Sequence, residues 1–373
     1  MVRWLPASRG GKRRLWLLVL IFAAGAALLQ WPQASAGGVS RGLSVCGNVL
    51  IPSLFPFLVL SGFLIRCGVA AAVGRRLERP TRLLFGLPGC CAAGILLAFV
   101  GGYPTGAAAA AQLRRRGEIT AEEGRRMLRF CVAGGPGFVI SAVGVGMTGY
   151  AELGAVLFAA QVLSALLIGM TGAPPAARKV SPPAKKGGAV PLSPAVALVE
   201  SVTAACETLL SACGFVLLFS ALLSVLDAAG VSALLHGRVQ AALLPCLLEV
   251  SCGCVAAAAV GAAAPFLLGF AVCFGGLSVH CQIASVVRGT DLMTPAFFLS
   301  RLAHGVLGGL LTLLLLRFVP LPLMVFGNHT APLTQAFSGS AVLSAALMLL
   351  CGVWILVIGN RKSDRVLDFS HRV

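Results

Sequence analysis

Residues 83–111 read LLFGLPGCCAAGILLAFVGGYPTGAAAAA, an apolar stretch broken near its middle by GGYPTG at 101–106. Strongly basic segments lie on both sides of it, at 74–82 and 112–129. Because positively charged loops stay on the cytoplasmic side of a membrane, the chain should enter and leave the bilayer on the same side here. The pattern therefore predicts a re-entrant hairpin that turns at GGYPTG. The competing interpretation is one membrane span with a kink.

The composition indicates that this stretch belongs to a membrane protein. The chain has 373 residues, of which 58% are hydrophobic and 11% are charged, and its mean hydropathy is +0.94. Soluble domains carry about 25% charged residues, so a soluble globule is excluded. The apolar runs are far longer than the strands of a membrane barrel. The sequence therefore predicts an all-α, polytopic helical membrane protein.

The positive charge of the chain is concentrated in short segments between apolar runs. The formal net charge is +17 at pH 7, and its largest groups lie at the N-terminus, beside the hairpin, at 172–190 and in the C-terminal tail. Loops of this kind contact anionic lipid headgroups, and no aromatic residues alternate with the basic ones as base stacking would require. We therefore expect a multi-pass protein of the bacterial cell membrane with a cytoplasmic N-terminus and tail, and no nucleic-acid partner.

The order of apolar and polar segments divides the chain into five parts. We expect about ten apolar segments in all, with one or two re-entrant hairpins. The first apolar run also resembles a signal peptide, but its length and the spans after it favour an uncleaved anchor. In order, we predict an N-terminal membrane anchor at 1–37, a first membrane repeat at 38–172, a Pro/Gly/Lys-rich cytoplasmic linker at 173–194, a second membrane repeat at 195–358 and a polar C-terminal tail at 359–373.

An internal repeat relates the two membrane parts. A shift of 174 residues places Gly101-Gly102 on Gly275-Gly276, Arg114 on Arg288 and Gly134-Gly135 on Gly308-Gly309. Paired repeats with glycine-broken apolar segments in matching places are typical of transporters that bind their solute at the midplane between the repeats. Whether the repeats run in the same or in opposite directions stays open.

Five motifs identify a family resemblance that covers roughly residues 40–320. They are PSLFPFLVLSGFL (52–64), FVGGYPTGA (99–107), VAGGPGFVISAVG (132–144), LLEVSCG (247–253) and CFGGLSVHCQIASV (273–286). Together they resemble the YlbJ-type sporulation integral membrane proteins, which carry a "nucleoside recognition" or Gate domain. The resemblance implies two Gate-like repeats and a remote similarity to concentrative nucleoside transporters. One departure is Ala133-Gly134-Gly135, where the family would have an asparagine beside GPGF, so a side-chain amide is missing there.

The candidate site combines the broken segments with the few polar side chains in apolar runs. An ionisable group at a helix centre costs about 2.5–3.5 kcal/mol on insertion scales, so such groups are functional candidates. Broken backbone also exposes N–H and C=O groups that a ligand can bind. We predict a substrate-binding site formed by Tyr103, Thr105, Gly134, Gly135, Glu249, His280 and Gln282.

Alternatives remain for the ionisable residues. His280 would either contact the solute or relay a proton, or it would only bond a backbone carbonyl. Glu249 would bind a coupling cation or proton, or pair with Arg301 inside the bundle. Arg301 and His304 are three residues apart and therefore share a helical face, where a structural role is favoured for Arg301. For Tyr103 and Thr105, the alternative is a tight turn without a ligand.

Two functions are compatible with these features. The chain has no HExxH and no CxxC motif, so we expect no enzyme activity, no cofactor and no metal site. The first hypothesis is a transporter-like protein of sporulation that moves or binds a small polar solute, nucleoside-like or other, between its repeats. The second is a non-transporting assembly or scaffold factor for the spore cortex or envelope. The expected partners are the lipid bilayer, such a solute, and a second copy or other sporulation membrane proteins.

Overall fold

The computed structural model describes residues 10–171 and 192–319, which form helices joined by turns and contain no strand. The predicted all-α fold is therefore confirmed. The first half contains α1 (Gly10–Gln30), α2 (Pro32–Val45, extended by a π-helical turn Cys46–Leu50), α3 (Ile51–Arg66), α4 (Val69–Arg76), α5 (Glu78–Phe85), α6 (Cys91–Gly101), α7 (Tyr103–Arg115), α8 (Ala121–Phe130), the π-helix α9 (Gly137–Thr148) and α10 (Ala151–Thr171). The second half contains α11 (Pro194–Ala228), α12 (Arg238–Leu248), α13 (Val250–Ala258), α14 (Ala264–Phe274), α15 (Gly276–Val286) and α16 (Pro295–Leu315).

Several of the described helices are long and apolar enough to cross a bilayer. By length and composition these are α10, α11, α16 and the segment Ala264–Val286 that joins α14 to α15. The segments Pro32–Leu50 and Leu54–Arg66, which meet at 53°, make a fifth crossing if they count as one span. The chain is therefore a multi-span helical membrane protein that contacts lipid. Most of the predicted linker, the end of the second repeat and the polar tail lie outside the described residues.

The predicted hairpin with its turn at GGYPTG is present and consists of α6 and α7. Its turn is at Gly102, whose φ of +84° lies in the region that favours glycine. The two helices pack antiparallel, because a Cβ on Gly106 in α7 would lie 2.7 Å from the Cβ of Ala98 in α6. At the open end, the Cys90 thiol lies 3.9 Å from the carbonyl oxygen of Glu118. This geometry excludes the alternative of a single kinked span.

A second helical hairpin consists of α12 and α13 and turns at Glu249. Here too the helices run antiparallel, since a Cβ on Gly253 would lie 2.6 Å from the Cα of Cys246. The Cys246 thiol donates a hydrogen bond of 3.4 Å to the Gly253 carbonyl. The sequence did not predict this hairpin, because its turn contains neither glycine nor proline and no cluster of basic residues flanks it.

Each half also contains one helix broken at mid-length, α8 followed by α9 and α14 followed by α15. Arg125, near the start of α8, donates a 2.9 Å hydrogen bond to the Asp291 carbonyl just after α15. Arg115, at the end of α7, donates a 3.1 Å bond to the carbonyl of Val286, the last residue of α15. The start of α8 and the end of α15 therefore lie at the same end of the bundle, which we call the basic end. The two broken helices run in opposite directions, so the repeats are inverted.

The register of the predicted internal repeat is wrong. In the structure the hairpin turn at Gly102 corresponds to the hairpin turn at Glu249, and the helix break at Gly135 corresponds to the break at Gly276. The shift of 174 residues had instead placed a hairpin turn on a helix break. Glycine pairs are frequent in this chain, which has 45 glycines. Their matches at that shift therefore did not identify equivalent elements.

Candidate functional site

The tip of each hairpin contacts the helix break of its own half. A Cβ on Gly135 would lie 3.2 Å from the backbone nitrogen of Gly102. In the second half, a Cβ on Gly276 would lie 3.0 Å from the backbone nitrogen of Glu249. Both meeting points place backbone against backbone, which only a residue without a side chain permits. The inverted repeats thus bring two hairpin tips and two broken helices together.

A small cavity lies where these elements meet, and it includes four of the seven predicted site residues. Tyr103, Gly135, Glu249 and Gln282 line it together with apolar side chains of α3 and α11. Its volume is about 20 Å³, which is room for about one water molecule. Thr105, Gly134 and His280 do not line it.

Glu249 is the charged residue of this cavity and is fully buried. Its Oε2 accepts a 2.8 Å hydrogen bond from the Cys252 amide, so the carboxylate caps the N-terminus of α13. Its Oε1 has no hydrogen-bond partner among the described residues, and neither does the hydroxyl of Ser251 on the same helical turn. The alternative that Glu249 pairs with Arg301 is wrong, because Arg301 bonds the Cys273 carbonyl and His304 instead.

The break after α14 leaves carbonyl groups that three side chains from different elements bind. The last four carbonyls of a helix have no intrahelical N–H of their own, and here the Ala271 carbonyl is taken by the Gly275 amide at the turn. The other three bonds are Tyr103 Oη to Val272 O at 2.7 Å, Arg301 Nη2 to Cys273 O, and His280 Nε2 to Phe274 O at 3.1 Å. Tyr103 and His280 therefore stabilise the break by hydrogen bonds to its carbonyl groups. For His280 this agrees with the alternative in which its ring only bonds a backbone carbonyl.

The surroundings of His280 are aromatic. Its ring lies edge-on to Phe274, Phe297 and Phe298, with ring centroids 4.7, 5.5 and 5.6 Å away. It is separated from the small cavity, which Gln282 on the same helix does line. Gln282 also donates a 3.3 Å hydrogen bond from Nε2 to the Ser278 hydroxyl one turn earlier. Of the predicted polar residues on α15, Gln282 is the one placed at the cavity.

The first break is held by a residue that the sequence analysis missed. Gln161 of α10 accepts the Gly134 amide on Oε1 at 2.9 Å and donates from Nε2 to the Gly134 carbonyl at 2.8 Å. It supplies from a neighbouring helix the amide that is missing at 133–135. The signal was a single glutamine in the otherwise apolar run of α10. Thr105 is likewise engaged, because its hydroxyl donates to the Gly101 carbonyl across the hairpin turn at 2.7 Å.

A much larger cavity, which we call the vestibule, opens at the basic end. It lies between α3, α7, α11 and α15 and has a volume of about 790 Å³. Its polar lining includes Arg66, Thr105, Gln112, Arg115, Glu207 and Arg288. Since Thr105 lines the vestibule and Tyr103 lines the small cavity, the first turn of α7 separates the two spaces. The sequence had no signal for a cavity on this side.

An ion pair joins the two halves at the basic end, outside the membrane-spanning helices. Arg114 at the end of α7 bonds both carboxylate oxygens of Asp291, at 3.0 and 3.1 Å. This hydrogen bonding lowers the pKa of the Asp291 carboxyl below its ordinary value. The side chains of Arg114 and Asp291 are 34% and 46% exposed, so solvent screens their interaction.

No cluster of three or more His, Cys, Asp or Glu side chains that could hold a metal ion occurs within 10–171 and 192–319. The cysteines of these ranges are free thiols.

Comparisons with known proteins agree with the motifs. The family model "Nucleoside recognition", named Gate, matches residues 49–154, which include the first hairpin and both pieces of the first broken helix. The chain is 29% identical over 326 residues to the sporulation integral membrane protein YlbJ of Bacillus subtilis (strain 168), covering 78% of this chain and 79% of that protein. No solved structure matches the chain. These matches confirm the resemblance to YlbJ-type sporulation integral membrane proteins with a nucleoside-recognition (Gate) domain.

Proposed function

We propose that this protein binds a small polar solute, nucleoside-like or other, between its hairpin tips and helix breaks, and moves it across the membrane during sporulation. The observation that carries the proposal is the meeting of two hairpin tips and two helix breaks at Glu249, whose Oε1 is buried without a partner. Irregular backbone at membrane depth is tolerated where it lines a cavity or is buried in protein. A buried carboxylate in a membrane bundle is a functional group by default.

From the volume of the small cavity we infer that the site is in a closed conformation. A volume of about 20 Å³ holds a water molecule but not a nucleoside, so the site is closed around Glu249. The vestibule ends at the first turn of α7, which therefore acts as the gate between the two spaces. Opening requires this turn to move, which breaks the hydrogen bond from Tyr103 to the Val272 carbonyl. Alternating access then consists of movement of the hairpins against the broken helices.

The orientation of the protein in the membrane follows from the positive charge of the basic end. Loops rich in Arg and Lys stay in the cytoplasm, so the vestibule opens toward the cytoplasm of a bacterial cell. Basic residues at the N-terminus and in the polar tail support a cytoplasmic position for both. The name of the Bacillus relative supports a role in sporulation, and the Gate match supports recognition of a nucleoside-like solute. The protein acts without catalysis, cofactor or metal.

The proposal is tested by ligand binding and flux with the purified full chain. A pool of small polar solutes that includes nucleosides is screened for stabilisation in detergent, since a ligand that binds only the folded state raises Tm. Flux of any hit is then measured in proteoliposomes. We expect Glu249→Gln to abolish both the shift and the flux, because the negative charge of the carboxylate at the cavity is lost.

A matched control is Glu152→Gln, which changes an exposed carboxylate at the start of α10 and should leave binding and flux unchanged. If no solute in the pool stabilises the protein, or if the flux of a hit is the same in both variants, the transport proposal is wrong.

The closed cavity favours one second candidate. A site that holds only about one water, braced by buried hydrogen bonds, also suits a rigid scaffold for assembly of the spore cortex or envelope. A scaffold would co-purify with another sporulation membrane protein or with a second copy. Its Glu249→Gln variant would still support sporulation, whereas the transporter's variant would not.

A further inference from the structure

Arg301 of α16 is a cation that no carboxylate balances. The residue is fully buried, and its Nη2 donates to the Cys273 carbonyl and to Nδ1 of His304, the latter at 2.6 Å. Nε and Nη1 have no hydrogen-bond partner among the described residues. None of the ion pairs formed within 10–171 and 192–319 includes Arg301. A buried charge without compensation is strongly destabilising, so another negative charge must lie nearby.

The carbonyl end of α14 supplies negative partial charge at this place. The C-terminus of a helix carries about −0.5 of an elementary charge, and α14 ends inside the bundle at Phe274. Arg301 bonds the carbonyl of Cys273 in the last turn of α14. This helix end therefore compensates part of the charge of the guanidinium.

A chain of hydrogen bonds connects Arg301 to the first break. Because Nδ1 of His304 accepts from Arg301, the ring proton is on Nε2, which donates to the Gln161 carbonyl at 3.1 Å. The Gln161 side chain in turn binds the amide and the carbonyl of Gly134. His304 and Gln161 are both fully buried. The path therefore runs without interruption from the Cys273 carbonyl at one break to Gly134 at the other.

We infer that Arg301 is a positioning residue that compensates the carbonyl end of α14 and, through His304 and Gln161, links the two helix breaks. A movement of either hairpin tip that disturbs the helix break beside it therefore also disturbs the other helix break. The tie exists without any solute, so it holds whether or not the proposed transport is correct. It also gives a reason for the presence of an arginine inside the bundle.

The test is hydrogen exchange of the full chain in lipid nanodiscs, without solute, read on peptides that cover 131–137 and 273–277. Arg301→Met keeps most of the side-chain length but removes the charge. We expect exchange about tenfold faster or more at both breaks, because the charge-assisted hydrogen bond to the α14 end and the path through His304 and Gln161 to the first break are both lost. Arg301→Lys should restore part of the protection at both peptides, since it keeps the charge without the planar fork.

The matched control is Ser300→Ala. Ser300 precedes Arg301 in α16, and its hydroxyl bonds only the Phe297 carbonyl of its own helix, at 2.6 Å. Exchange at both breaks should equal that of the unmodified protein. A change of exchange in this control as large as in Arg301→Met would overturn the inference, since any defect in α16 would then suffice.

A reverse test does not depend on Arg301 variants folding. Gln161→Leu removes the side chain that holds Gly134, and we expect faster exchange at the remote peptide 273–277. The inference is overturned if Arg301→Met accelerates exchange only at 273–277, if lysine restores nothing, or if Gln161→Leu leaves 273–277 unchanged.

Discussion

Two glycines with positive φ lie where the hairpin tips meet the helix breaks. Gly102 has a φ of +84° and forms the first hairpin turn. Gly276 has a φ of +70° and lies against the tip of the second hairpin. A side chain at either position would be strained by the backbone conformation. On Gly102 it would collide with the Leu54 side chain, and on Gly276 it would press on the backbone of Glu249 at the second hairpin tip. The small cavity depends on both contacts.

Replacing Gly276 should therefore destabilise the protein. In Gly276→Ala the left-handed conformation costs about 1–2 kcal/mol, and the new Cβ would lie 3.0 Å from the Glu249 nitrogen. We expect a lower unfolding temperature in detergent. The control is Gly214→Ala on α11, where a Cβ meets nothing within 4 Å. It should be neutral or slightly stabilising, and equal losses in both variants would contradict the argument.

At the scale of single residues, the sequence predicted the rare buried polar groups but not their hydrogen-bond partners. Glu249 and Gln282 stood out because polar side chains are scarce in apolar runs, and both line the cavity. Gln161 did not stand out, since one amide in a membrane helix has no neighbour in sequence that reveals its role. The pairing of Arg301 with Cys273 and His304 rather than with Glu249 depends on which helices pack together, and that information is not local.

At the scale of elements, the sequence predicts one of the two hairpins much more readily than the other. The first turns at a glycine and has basic segments on both sides, so charge and backbone chemistry both predicted it. The second turns at Glu249, an extended residue between two helices, and no cluster of basic residues flanks it. Its turn is stabilised by a carboxylate cap rather than by glycine, and such a cap within an apolar run is not distinctive.

The ion pair between Arg114 and Asp291 at the basic end connects two elements, and it predicts that the stability of the fold depends on pH. Arg114 lowers the pKa of Asp291 in the folded protein, so the pair stabilises the fold above the ordinary Asp pKa of about 4. This contribution is lost as the pH falls through the lowered pKa of Asp291.

The measurement compares the unfolding temperature of the unmodified protein with that of Asp291→Asn from neutral to acidic pH. The difference should be small, because the pair is exposed, constant at neutral pH, and absent in strong acid. Asp227→Asn, at the exposed end of α11, is the control. A difference for Asp291→Asn that grows toward acid would contradict the assignment.

For the whole molecule, inverted repeats place two hairpin tips at one point and leave a vestibule on one side. Sequence similarity between the halves suggested a repeat, but the direction of each half depends on contacts between remote ends, such as Arg125 with Asp291. The same inversion explains why the vestibule opens at the basic end, since α7 and α15 both end there. This arrangement requires α7 to face water in the vestibule while the exposed outer face of α6 faces lipid.

Thiol accessibility at matched depth tests this claim most directly. In a variant without native cysteines, Ala108→Cys lies on the vestibule side of the first hairpin, and Leu96→Cys lies on the exposed outer face of α6. In inside-out vesicles we expect a membrane-impermeant thiol reagent to modify position 108 but not position 96. An unreactive position 108, or equal reaction at both positions, would mean that the hairpin does not border a water-filled vestibule.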